Sequence, residues 1–289
     1  MDVAVGLGLA LITAVTWGSR EILLRKAFER TRLATGLLVT MLSTFIISLT
    51  AAVLFESHHW GEMTVTVAFL WLIVGLLHFP LAMTIYYKGI ESVGGSRTSV
   101  LSNSSALVTP ILGILLLSEP SATHIIIGVL ATGIGILVVS SSAPNSSGWH
   151  WDRGMIFGLV SGFFWSTTNL LTRLGLTMIP LPMTGLAIAV GLSLIPTLPL
   201  IFRSQHGVRL SDLKDRKLVF GSCLSGLGQV TLFGALALAA TVFVVPTYNL
   251  KSIVTVFLAY FLIPQSEKLN LKVLVGAVLA ITGILLINI

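Results

Sequence analysis

Charged residues are scarce in this sequence. Asp, Glu, Lys and Arg make up 10% of its 289 residues, whereas 55% are hydrophobic. A soluble domain carries about 25% charged residues, so this chain has too little charge to cover a surface that faces water. Apolar runs recur along the whole length, and about 20 apolar residues are enough to span a bilayer as a helix. The composition predicts an integral membrane protein.

Cysteine and clustered catalytic residues are also lacking. The single Cys223 excludes an intrachain disulfide and a metal site made of several cysteines. The six histidines are scattered, mostly in loops, and no phosphate-binding P-loop is present. We therefore expect no metal, no cofactor and no direct drive by ATP. The 17 basic residues lie mostly in short loops, where they report membrane topology, so nucleic acid is not expected as a partner.

Apolar stretches bounded by charged or turn-forming residues predict ten membrane-spanning helices. Helices are expected because a spanning segment must satisfy its backbone hydrogen bonds internally, and the alternating strands of a barrel are not seen. The fold class is therefore an all-α membrane protein. The predicted helices lie near 3–25, 34–55, 64–88, 96–118, 122–141, 153–174, 180–202, 217–239, 242–263 and 271–288.

The chain repeats itself at an offset of 148 residues. A polar linker, 142–152, separates a first half, 1–141, from a second half, 153–289. Each half holds five predicted helices, and because five is odd the halves must enter the membrane in opposite directions. Such inverted repeats build many secondary transporters. The offset pairs Gly6 with Gly154, Trp17 with Trp165, Arg25 with Arg173, Glu119 with Glu267, Gly128 with Gly276 and Gly135 with Gly283.

Several short motifs carry a family resemblance. They are Trp17-Gly18-Ser19 followed by Arg25-Lys26, Tyr86-Tyr87-Lys88-Gly89-Ile90, and Leu115-Leu116-Leu117-Ser118-Glu119 followed by Gly128 and Gly135. Together they resemble the EamA-type branch of the drug/metabolite transporter superfamily, over nearly the whole chain. The resemblance implies a ten-helix transporter with both termini in the cytoplasm. It does not fix the substrate, since the family carries amino acids, other metabolites and sugar derivatives.

The distribution of positive charge predicts the opposite orientation. Four of the Lys and Arg residues lie within the predicted spans, and none lies in the even-numbered loops or at the termini. The positive-inside bias then places the odd-numbered loops in the cytoplasm and both termini outside. The thirteen residues in or beside the odd-numbered loops are Lys26, Arg30, Arg32, Lys88, Arg97, Arg153, Arg203, Arg209, Lys214, Arg216, Lys217, Lys268 and Lys272.

Lys251 is the first candidate for function. It lies near the middle of the ninth predicted helix, where a charge costs about 2.5–3.5 kcal/mol on insertion scales, and no acid lies within one turn. Thr247 and Tyr248 share its helical face. The repeat pairs Lys251 with Asn103, in a polar stripe that includes Ser99. We predict that these five residues bind substrate. The alternatives are a lysine that snorkels to the interface and serines that only join helices.

The first helix and its mate supply further candidates. Small residues spaced by four let helices approach closely, and on the first helix this face continues to Trp17 and Glu21. On the sixth helix the same face reaches Trp165 and Asn169. We predict that Trp17, Trp165 and Asn169 contact substrate, although tryptophan also anchors helices at the interface.

The remaining ionisable candidates fall into two groups. Glu21 and Arg20 are candidates for ion coupling, because ionisable residues within a membrane are usually functional. Alternatively, Glu21 pairs with Arg25 one turn later and has only a local role. Glu119 and Glu267 precede the fifth and tenth helices, and we expect them to stabilise those helix N-termini.

The favoured function is a secondary active transporter that exports a small organic metabolite, such as an amino acid, by alternating access around a midplane site. We expect an anionic or zwitterionic substrate, and a monomer or homodimer surrounded by lipid in a prokaryotic plasma membrane. One alternative is a flippase for a lipid or lipid-linked precursor with the same fold. Another is a membrane-embedded enzyme, for which the necessary clustered acids, paired histidines or nucleophile with a base are not seen.

Overall fold

The computed structural model describes residues 2–93, 98, 101–141, 153–203, 207–262, 271–287 and 289. The regular structure in these ranges is helical, and no strand occurs in them. Ser99, Glu267 and the linker 142–152 lie outside the described residues. The α-helices are α1 (Asp2–Phe28), α2 (Leu33–Phe55), α3 (Val65–Leu76), α4 (Thr84–Val93), α5 (Ser105–Leu117), α6 (Thr123–Ser141), α7 (Arg153–Met178), α8 (Pro182–Arg203), α9 (Arg216–Leu238), α10 (Thr241–Asn249), α11 (Lys251–Leu262) and α12 (Leu271–Ile287).

The lengths and composition of these helices confirm an integral membrane protein. Large apolar side chains such as Ile46, Leu116 and Val278 are exposed on the outside of the bundle, as expected where lipid replaces water. Six helical stretches of the described chain are long and apolar enough to cross a membrane, and three further apolar helices are shorter. The six are Asp2–Phe28, Leu33–Phe55, Val65–Tyr86, Pro182–Phe202, Arg216–Leu238 and Thr241–Phe261, and the shorter three are Ser105–Leu117, Thr123–Val139 and Leu271–Ile287.

Three of the predicted helices are interrupted, which the sequence prediction missed. A π-helical segment, Leu77–Met83, separates α3 from α4 and contains Pro80. Proline removes a backbone hydrogen bond and clashes with the preceding turn, so the helix widens there. A turn at Leu250 separates α10 from α11, and another at 103–104 precedes α5. The last two interruptions fall within two residues of each other in the 148-residue repeat. They also lie close together, since Asn103 Nδ2 donates to Ser252 Oγ at 2.9 Å.

Two helices that are equivalent in the repeat, α6 and α12, pack against each other through glycines. A Cβ added at Gly135 would lie 2.5 Å from the Gly276 carbonyl oxygen, and one at Gly128 would lie 2.6 Å from that of Gly283. Gly128, near the start of α6, thus meets Gly283 near the end of α12, and Gly135 meets the earlier Gly276. The two helices therefore run antiparallel, with backbones too close for any side chain at these positions.

Two buried glutamates of the first half stabilise helices of the second half. Glu119 caps α10: its Oε1 accepts the Thr241 N–H at 2.8 Å and its Oε2 accepts the Val242 N–H at 3.0 Å. Glu56 caps α8 through the Met183 and Thr184 N–H groups, at 2.9 and 2.7 Å. The prediction that Glu119 stabilises a helix N-terminus is confirmed. The predicted helix was wrong, because Glu119 caps α10, which is distant in sequence, and not the helix that directly follows it.

Candidate functional site

A cavity lies where the interrupted helices meet. Its empty volume is about 520 Å³ including its opening. Helices from both halves of the chain contribute to its wall, among them α1 and the π segment from the first and α7, α9 and α11 from the second. The lining residues are Trp17, Arg20, Thr40, Thr44, His78, Phe79, Met83, Ser105, Trp165, Asn169, Ser225, Gln229, Tyr248 and Lys251.

Lys251 lies at the start of α11 and projects among aromatic rings. The residue is only 8% exposed. Its Nζ atom lies 5.2 Å from the ring centroid of Trp17, 5.9 Å from that of Tyr248 and 6.0 Å from that of Trp165. Trp17 and Tyr248 meet edge to face, with centroids 5.4 Å apart. The negative faces of these rings stabilise the ammonium group where water is largely excluded.

Arg20 brings a second positive charge to the cavity. Its guanidinium carbon lies 5.1 Å from the Trp17 ring centroid, and its Nη1 donates to Ser225 Oγ at 3.2 Å. The position of Arg20 follows from the packing of α1 against α9, where the Trp17 indole N–H also donates to the Ser225 carbonyl at 3.4 Å. The described lining residues thus include two cations, Arg20 and Lys251, and no carboxylate.

Glu21 lies beside the cavity and not on its described lining. The Thr255 hydroxyl donates to Glu21 Oε2 at 3.0 Å and also lies 2.8 Å from the Lys251 carbonyl oxygen. Because Thr255 is one turn after Lys251 on α11, this contact brings a carboxylate of α1 near the lysine. Spacing along the ninth predicted helix could not reveal this neighbour, because Glu21 lies on another helix.

Hydrogen bonds join the polar residues of the opposite wall. Asn169 Nδ2 donates to the Tyr248 hydroxyl at 2.9 Å. Gln229 Nε2 donates to His78 Nε2 at 3.0 Å, and His78 Nδ1 lies 3.3 Å from Thr168 Oγ1. This network holds Tyr248 and His78 in place across α7, α9 and α10.

The structure brings most, but not all, of the sequence candidates together. Trp17, Trp165, Asn169, Tyr248, Lys251 and Arg20 line the cavity. Thr247 does not: it is buried, and its hydroxyl donates to the Phe243 carbonyl at 2.7 Å within α10. Asn103 is also off the lining, bound to Ser252. Substrate binding by any of these residues stays a prediction.

Several lining residues were not among the candidates predicted from the sequence. Thr40 and Thr44 are one turn apart on α2, and Ser225 and Gln229 are one turn apart on α9. Polar residues at this spacing share a helical face, so this signal could have found all four. His78 lies on the cavity wall within the π segment. No group of three or more potential metal-ligating side chains occurs within the described ranges.

Comparisons with known proteins agree with this architecture. Among curated proteins none matches the chain. Twenty-eight chains of solved structures match it. One, described as the crystal structure of a protein, has 11% sequence identity and a TM-score of 0.76, covering 97% of this chain and 95% of its own; at this identity the likeness shows the fold alone.

A sequence profile matches the chain twice, once in each half. It is that of the EamA-like transporter family, and it matches residues 4–141 and 152–289. The two matches are displaced by the same 148 residues that relate the halves in the sequence comparison. Members of this family are transporters rather than enzymes. The chain belongs to the EamA-like transporter family, as its motifs predicted.

Proposed function

We propose that this protein is a secondary active transporter that exports a small organic metabolite, such as an amino acid, by alternating access around the cavity at Lys251. The observation that carries the proposal is the cavity itself, which both halves line and which holds a buried lysine at a helix break. Interrupted helices with polar residues near the midplane are typical of substrate sites in secondary transporters. The anionic group of the substrate would face Lys251.

The proposed architecture has ten membrane-spanning helices in two inverted repeats. The six long apolar stretches, the three shorter ones and α7 together make ten. The antiparallel packing of α6 against α12 supports inversion, since these helices are equivalent in the two halves. In a prokaryotic plasma membrane, rocking of one half against the other would open the cavity to each side in turn.

Glu21 is our candidate for coupling to protons. It lies near Lys251 and Arg20, so a proton on its carboxylate would increase the positive charge beside the cavity by one. Such a change alters the affinity for a charged substrate, which is what coupling requires.

Transport by the purified protein in proteoliposomes tests the proposal. Vesicles loaded with a pool of amino acids, nucleosides or sugar phosphates are assayed for counterflow of a labelled member of each class. We expect exchange of at least one class, and accumulation of that solute under a pH gradient that is lost in Glu21→Gln. Absence of exchange for every class would contradict a transporter of small metabolites. Full pH-driven accumulation by Glu21→Gln would leave Glu21 with only a local role.

A further inference from the structure

The charge of the cavity indicates a particular class of small organic metabolite, and one other than the amino acid given as an example in the proposed function. Arg20 and Lys251 both lie beside the Trp17 ring, 5.1 and 5.2 Å from its centroid. Among the described lining residues there is no Asp or Glu. Glu21, which is near, is turned to the Thr255 hydroxyl. The described wall therefore presents two cations, and no anion, to a bound molecule.

Three buried polar atoms of the same wall have no hydrogen-bond partner among the described residues. Arg20 Nε and Trp165 Nε1 are N–H donors, and Gln229 Oε1 is an acceptor. Buried polar atoms in proteins are nearly always paired, so unpaired ones need a reason. Two free donors match acceptor oxygens on a ligand, and the free acceptor matches a donor such as a hydroxyl group.

We infer that the substrate of the proposed transporter is a small organic dianion that also carries a hydroxyl group, of the dicarboxylate or phosphate monoester class. The inference rests on the proposed function. Arginine pairs well with carboxylate and phosphate oxygens through its fixed N–H geometry, and Lys251 neutralises a second negative charge. The Trp165 N–H and the Gln229 carbonyl then bind the remaining oxygen and the hydroxyl.

A zwitterion with a single carboxylate fits this wall less well. Its carboxylate would neutralise one cation, and its ammonium group would then lie near the other. Aromatic rings can hold an ammonium group, but Lys251 already lies over Trp17, Trp165 and Tyr248, and Arg20 shares Trp17. The described lining contains no carboxylate to pair with it.

Ligand binding to the purified full chain tests the inference. The melting temperature is measured against increasing malate, glycerol 3-phosphate and alanine, which represent a dicarboxylate, a phosphate monoester and a zwitterion. We expect at least one dianion to raise the melting temperature saturably and alanine to have no effect. The preference between the two dianions identifies the acidic group. Stabilisation by alanine alone, or by none of the three compounds, would overturn the inference.

Variants then test the two cations. Arg20→Gln and Lys251→Gln should each raise the Kd for the dianion by about tenfold or more, as expected for loss of a charged hydrogen-bond partner. Lys214→Gln is the matched control, because Lys214 is exposed and off the cavity; it should leave the Kd unchanged. An unchanged Kd in both cavity variants would contradict the inference, and the comparison of compounds on the wild type does not depend on either variant folding.

Exchange across proteoliposomes separates this inference from the proposed function. A dianion that binds and is exchanged supports both. If a dianion binds with the expected effects of the variants but is not exchanged across the membrane, the result supports the ligand class and contradicts transport. If alanine is exchanged while neither dianion binds or is exchanged, the proposed transport function is supported and the inferred ligand class is contradicted.

Discussion

Lys251 is held by aromatic faces and not by an ion pair within the described structure. Cation–π contacts compensate only part of the free energy that a buried ammonium group loses on leaving water. Glu21 of α1 adds a nearby negative charge, since its carboxylate contacts Thr255, which is one turn after Lys251. A residue whose charge is only partly compensated contributes little to folding stability, so its presence is better explained by function.

Substitution of Lys251 should therefore separate transport from stability. We expect Lys251→Ala to abolish transport in the proteoliposome assay, with expression and melting temperature near those of the wild type. Removal of an incompletely paired buried charge can even stabilise a protein. Lys214→Ala, at an exposed position, serves as the control. Normal transport by Lys251→Ala, or a variant that fails to fold, would assign the lysine a structural role.

Asp212, in the loop between α8 and α9, shows the opposite case of a fully paired buried charge. The residue is 3% exposed. Its Oδ2 accepts from the Arg32 N–H at 3.0 Å and the Thr35 hydroxyl at 3.1 Å, and its Oδ1 accepts from Arg209 Nε at 2.6 Å. Burial by itself raises the pKa of this carboxyl, but the hydrogen bonds and the Arg209 charge outweigh burial and hold the pKa below its ordinary value of 3.8.

This lowered pKa predicts how stability depends on pH. Because the folded pKa is below the unfolded one, the Asp212 carboxylate stabilises the fold above about pH 4 and loses this effect as the pH falls through the folded value. We expect Asp212→Asn to lower the free energy of unfolding by about 1–3 kcal/mol at pH 7. The difference in melting temperature should stay constant from pH 8 to about pH 5 and shrink below pH 4. Exposed Glu29→Gln is the control, and a difference that did not change with pH would contradict this account.

At the scale of helices, the contact between α6 and α12 depends on glycine. A Cβ at Gly135 would lie 2.5 Å from the backbone of both Gly276 and Ala280. Backbone atoms cannot move aside as a flexible side chain can, so the whole helices would have to separate. The Thr132 hydroxyl, which donates to the Ala280 carbonyl at 3.3 Å, would also lose its partner.

One substitution at two positions tests this contact. Gly135→Ala should lower the melting temperature, with a cost of about 1–3 kcal/mol typical of overpacking. Gly8→Ala is the matched control on α1, where a Cβ meets nothing within 4 Å. There alanine should be neutral or stabilise by about 0.5–1 kcal/mol, since it favours the helix more than glycine does. Equal effects at both positions would show that the close contact does not contribute.

Across the whole molecule, contacts between the halves lie on both sides of the cavity. On the side of the even-numbered loops, Glu56 and Glu119 cap helices of the other half. On the side of the odd-numbered loops, Asp212 joins the second half to Arg32 and Thr35 of the first. Under alternating access, each side would have to release its contacts in turn.

The orientation of the molecule is a prediction from charge, and labelling of single cysteines tests it. In a Cys223→Ser background, Ser121→Cys lies in an even-numbered loop and Ser211→Cys in an odd-numbered one, and both positions are exposed. With the odd-numbered loops in the cytoplasm, an impermeant maleimide should label Ser121→Cys in intact cells. Ser211→Cys should react only after permeabilisation. The reverse pattern would restore the orientation that the family resemblance implies.

The sequence alone determined the protein class, the approximate positions of the helices, the duplication and the family. These properties depend on local composition and on residues compared at a constant offset, such as Trp17 with Trp165. Apolar length reports membrane helices directly, because the bilayer fixes the length that a helix must cover. Even the cavity candidates Lys251 and Trp17 could be named this way, since a charge or a small-residue face is visible within one helix.

Only the tertiary structure decided which residues meet. Glu21 contacts Thr255, one turn after Lys251, from another helix. Glu119 caps a helix of the other half, and the Thr247 hydroxyl donates within its own helix. The π segment places His78 on the cavity wall, where it forms a hydrogen bond with Gln229. The physical reason is that such contacts are set by helix crossings and breaks, which arise from packing between segments far apart in the chain. Periodicity within one helix carries no information about those segments.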